Sequence, residues 1–90
     1  MGKFRKKPVV IDAIQLPPAS SPDGYGATIG ALFDFMAGSE WEASNDGVRI
    51  TTLEGVMLAQ PGDWIIKGVA GEFYPCKPDI FAATYDELPA

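Results

Sequence analysis

The sequence contains no histidine and only one cysteine, Cys76, in 90 residues. The absence of histidine excludes catalytic triads, imidazole general bases and His-ligated metal sites. A single cysteine cannot close an internal disulfide, which points to a reducing compartment, and without histidine it lacks the usual base for a thiol nucleophile. Apolar runs extend over only a few residues, too short for a helix that spans a bilayer. The first ten residues, MGKFRKKPVV, are basic but hold no long apolar core and no small-residue cleavage site, so they do not read as a signal peptide. Lys6 stands where a myristoylation pattern starting at Gly2 needs Ser or Thr. Positive charge is scarce beyond this tip. Residues 8–90 carry three basic and twelve acidic residues, a balance of −9 within a total of −5. So acidic a body lacks the basic face that duplex DNA requires.

What is present describes a small folded domain. The hydrophobic fraction is 47% and there are ten aromatic residues, enough for one core in a single domain over residues 1–90. Ten glycines and eight prolines suit short strands and tight turns better than a helical bundle. Residues 1–7 form a basic tip, PVVIDAIQL (8–16) reads as a first strand with two apolar faces, and PPASSPDGYG (17–26) as a Pro/Gly/Ser-rich loop. In ATIGALFDFMA (27–37), Ile29, Leu32, Phe33 and Met36 recur at helical spacing, which predicts one amphipathic helix ended by Gly38. Gly30 inside it suggests a close approach to the sheet.

From Glu40 onward the pattern is strand and turn. EWEAS, VRITTL, VMLAQ, WIIKG and EFYPC are separated by Asn45-Asp46-Gly47, Glu54-Gly55, Pro61-Gly62-Asp63 and Val69-Ala70-Gly71. Connections this short predict an antiparallel meander. The expected fold is α+β: a curled antiparallel sheet, as a meander or small open barrel, with the helix packed on it. A short C-terminal helical turn begins at Pro78, and Tyr85 to Leu88 are expected to add a last edge strand.

Gly24-Tyr-Gly26 with Gly30 approaches a dinucleotide loop, but its third glycine comes one position late and no βαβ unit surrounds it. Backbone N–H groups near Thr28 could hold a phosphate. The aromatic and basic residues of the closing segment carry the recognition reading. Trp64 and Ile66 share one strand face, Ile65 and Lys67 the other, and Phe73 and Tyr74 point to opposite faces. An exposed Tyr74 beside Lys67 or Lys77 would stack on a base and meet its phosphate, with Trp64 adjacent and Arg49 as a further cation. Against this stands the plain reading of Trp64 in the core, a half-buried tyrosine and solvated lysines. Cys76, next to Lys77, could have a lowered pKa or be a structural turn cysteine. No cofactor or metal is implied.

FRKKPVVIDAIQL (4–16) and TLEGVMLAQPGDWIIKGVAGEFYPCKPDIFAATYDEL (52–88) resemble a widespread family of small phage and prophage proteins, mostly hypothetical. Residues 17–51 carry no match to that pattern. The resemblance implies a phage-encoded protein of the host cytoplasm and brings no catalytic residues. Phage context, small size and missing catalytic groups lead to a non-enzymatic accessory protein. Its expected role is counter-defence, by sequestering a small anionic nucleotide-like host ligand; the alternative is a module that binds a host protein through an acidic surface or a strand edge. Membranes are not an expected partner. Small domains often gain stability by self-association, so a homo-oligomer is expected.

Overall fold

The computed structural model describes Gly2 and residues 10–18, 28–44 and 46–86. The chain runs β1 (Asp12–Gln15), α1 (Thr28–Phe35), β2 (Trp41–Ser44), β3 (Gly47–Thr52), β4 (Gly55–Ala59), β5 (Trp64–Lys67), β6 (Phe73–Cys76) and α2 (Pro78–Thr84). The strands form two three-stranded antiparallel sheets, β1-β5-β6 and β2-β3-β4. The fold is α+β, with two short helices among the described residues. None of those helices is long and apolar enough to cross a membrane. Residues 1, 3–9, 19–27, 45 and 87–90 lie outside the described residues, and with them the charged part of the basic tip and most of the 17–26 loop, whereas Thr28 is the first residue of α1.

The expected hairpins form at three of the four connections. Gly47, Gly55 and Gly71 all adopt positive φ where the chain reverses. Gly47 is constrained twice, because an added Cβ would also collide with the Ala59 backbone carbonyl on the neighbouring strand. The fourth connection does not make a hairpin. At Gln60-Pro61-Gly62-Asp63 the chain leaves one sheet and enters the other, so β4 and β5 are not paired. The turn's polar groups are taken by distant partners. Leu16 N–H donates to Asp63 C=O at 2.9 Å, Gly62 N–H to Pro17 C=O at 3.1 Å, and Gln15 Nε2 to Gly62 C=O at 3.1 Å. With its edge committed to β1, β5 has no place for β4. The single meander expected from the turn spacing is therefore two sheets.

The core lies between the sheets. Val48, Ile50 and Ala59 from one sheet meet Ile65 and Phe73 from the other, closed by Leu16 and by Leu32 and Met36 from α1 and its end. Alternation along β3 explains its share: Val48 and Ile50 face inward while Arg49 and Thr51 face solvent. Phe33, expected on the packing face of the helix, is instead exposed and meets Trp41 edge-on at 5.1 Å. Phe35 takes the inner position and packs edge-on against Phe73 at 5.5 Å. Gly30 faces open space, so the close approach inferred from it is absent. Met36 N–H still bonds Leu32 C=O, and Gly38, with φ of 86°, closes the end in the left-handed region as expected. The closing segment is a helix of seven residues, and Tyr85 and Asp86, which follow it, are not strand.

Candidate functional site

The register of β1-β5-β6 decides where the closing segment's side chains go. Ile66 stands opposite Tyr74 and Ala13, and Trp64 opposite Cys76 and Gln15, so these six share the outer face. Ile65 and Lys67 share the inner face with Phe73, Pro75, Ile14 and Asp12. Lys67 therefore points away from Tyr74. Its ammonium lies 5.9 Å from the Phe73 ring centroid at the open end of the core face.

The outer face is roofed by α2. Pro78 fixes φ at the helix start, which brings Phe81 flat onto Trp64 with centroids 4.1 Å apart and planes 7° from parallel. Tyr85 follows against Phe81 at 5.1 Å and shares a hydrogen bond with the Tyr74 phenol. Burial, then that hydrogen bond, then the nearby acidic groups raise the Tyr74 pKa to about 12. One ring face of Trp64 is thus already stacked, and the Tyr74 hydroxyl is engaged.

Lys77, the last residue before α2, folds back to the sheet-crossing turn. Its Nζ donates to Asp63 Oδ2 at 3.0 Å and Gln60 Oε1 at 2.8 Å. The same Asp63 oxygen accepts the Gln60 N–H at 2.9 Å. Asp63 is 4% exposed, so its charge needs these donors. Lys77 is thereby spent on Asp63 rather than on Cys76. Burial, followed by the Asp63 and Asp79 charges, pushes the Cys76 thiol up, the reverse of the activation that an adjacent lysine could have supplied. Arg49 belongs to the other sheet, on β3, where it pairs with Asp46 at 3.8 Å and donates to Ser44 Oγ at 3.1 Å.

Of the five residues singled out from sequence, Trp64, Tyr74 and Lys77 come together along the outer face and its end. Lys67 and Arg49 stand elsewhere. A cavity of about 320 Å³ opens between the ends of the two sheets, lined in part by Phe73, Leu53, Thr51, Glu40 and Glu72. Its two carboxylates repel an anion. No cluster of three potential metal-binding side chains occurs among the described residues.

One surface was not anticipated. Residues 53–58 are exposed without interruption, and they include Leu53, Val56, Met57 and Leu58. The last three belong to β4, an edge strand. Thr51 N–H bonds Glu40 C=O on the β2 side, so alternation turns Ile50 and Val48 toward β4 and leaves Val56 and Leu58, opposite Thr51 and Arg49, with their backbone groups directed away from β3. The other edges carry protection: Asp12 on β1, Glu42 on β2 and Pro75 in the middle of β6. Gly55–Ala59 has neither charge nor proline. The signal was present in the sequence, because three successive apolar residues in a strand of period two cannot all face one core. Comparison with protein-family models, with curated proteins and with solved structures finds no match.

Proposed function

We propose that this chain is a non-enzymatic accessory protein of phage origin, acting in the host cytoplasm by binding another polypeptide along β4. The observation that carries this reading is the unprotected edge: exposed apolar side chains on both faces of β4, beside outward backbone groups at Val56 and Leu58. An incoming strand would find main-chain partners for affinity and alternate side chains for selectivity. The three edges with a charge or a proline offer no such site. In the same reading, the two sheets are halves of one bent sheet, since β6 lies against β3 and β4 without a ladder between them. The test compares columns bearing the native protein and the Val56→Lys variant. A polypeptide, whether a host protein or further copies of this chain, held by the first and lost from the second is expected. A partner held equally by both would remove β4 from the interaction.

A second reading, sequestration of a small anionic nucleotide-like ligand, draws on Trp64 and Tyr74 sharing a face with Lys77 at its end. Such a ligand has to compete with Phe81 for the indole and with Asp63 for the ammonium. Cyclic nucleotides and ADP-ribose derivatives should then raise the melting temperature by mass action. The rise should vanish in Lys77→Ala and persist in Lys67→Ala. No rise with any of these compounds removes the ligand reading.

A further inference from the structure

We infer that the strand completing β4 is β4 of a second copy of this chain. The inference rests on reading β4 as an interaction edge and names its partner. The argument begins with register. Val56 and Leu58 carry the outward N–H and C=O groups, and they are two residues apart. An antiparallel two-fold centred on Met57 sets Val56 opposite Leu58 of the second copy, and Leu58 opposite Val56. Each pair exchanges both of its hydrogen bonds, so every outward group at these positions is satisfied. Met57 then faces its own counterpart in the closer, non-bonded pair, and the side chains that meet are apolar on both sheet faces.

Charge favours the same occupant. A chain of net charge −5 presents to its copy a strand with no charged residue. Self-association therefore brings neutral surfaces together, with the remaining repulsion spread over the body and screened by salt. Area is consistent with it as well. The apolar surface exposed at Val56, Met57 and Leu58 is roughly 250 Å² per protomer, so the pair buries less than about 1,200 Å², the range of weak contacts. Such an interface gives a concentration-dependent dimer with a continuous six-stranded sheet, and salt should strengthen it.

Sedimentation equilibrium tests this at protein concentrations from about 1 to about 300 µM, spanning a micromolar dissociation constant. The native chain should shift from monomer to dimer mass, whereas Val56→Lys and Leu58→Lys should stay monomeric with unchanged circular dichroism. In a Cys76→Ser background, Met57→Cys should oxidise to a linked dimer, and Thr51→Cys, on the neighbouring strand, should not. A native monomer at all concentrations overturns the inference, as does a dimer indifferent to both lysine substitutions. A native monomer that still loses a host protein on Val56→Lys overturns the second copy but leaves β4 as an interaction edge. A native monomer with no such loss removes both.

Discussion

The two sheets are nearly the same size and are used differently. Sheet β1-β5-β6 is covered twice: its inner face enters the core through Ile65 and Phe73, and its outer face lies under Phe81 and Tyr85. Its edges end in a charge and a proline. Sheet β2-β3-β4 is covered once. Val48, Ile50 and Ala59 serve the core, while Arg49, Thr51, Val56 and Leu58 face outward with nothing packed over them among the described residues. The first sheet holds the molecule together, and the second contributes half a core and keeps a face and an edge for something else. Binding surface in a domain this small has to come from the sheet whose removal from water the core does not need.

Substitutions can break that division or sharpen it. The largest effect belongs to Ile65→Ala, which removes a fully buried side chain from the doubly covered sheet. It should cost about 3 kcal/mol in urea unfolding. Val56→Ala on the other sheet, measured in dilute solution, should stay within about 0.5 kcal/mol. Equal losses at both positions would dissolve the contrast. Gly47→Ala comes next. Its φ of 137° and the facing Ala59 carbonyl leave no room for a methyl group, and about 2–3 kcal/mol should be lost as the β3–β4 ladder shifts.

The turn that separates the sheets is more moderate. Asp63→Ala leaves the Gln60 N–H and the Lys77 ammonium without their acceptor and should cost about 1–3 kcal/mol. Asp63→Asn keeps an acceptor but removes a charge that raises the Cys76 thiol, so Cys76 should alkylate faster than in the native protein. An unchanged alkylation rate would assign the raised thiol pKa to burial and Asp79 rather than to Asp63. The smallest effect is at high pH. The Tyr74 pKa is raised in the folded state, so its contribution to stability is complete below pH 10 and is lost as pH rises toward about 12. Phenolate absorbance should show Tyr74 titrating late in the native protein and earlier in Tyr85→Phe.

Much of the local structure was legible. Gly55 and Gly71 reverse the chain where the strand pattern required it, and the alternation of Val48 and Ile50 against Arg49 and Thr51 holds residue by residue. Phe73 and Tyr74 do separate, with Phe73 in the core. The recognition residues were less legible. Parity placed Lys67 with Ile65, but only the pairing with Phe73 put it on the face opposite Tyr74. Helical spacing selected Phe33 for the packing face, and the position of the sheet beneath chose Phe35 instead.

By itself the sequence determined where strands and turns fall, because φ preference and side-chain alternation act over a few residues. Which strands pair, and what covers each face, was decided only by the tertiary structure. Pro61-Gly62-Asp63 looks like any hairpin turn until Leu16, Gln15 and Pro17 claim its polar groups from 45 or more residues away. The same step leaves β4 at an edge, Lys77 on Asp63 and Phe81 on Trp64. Those contacts join residues far apart in the chain, and no local preference encodes them.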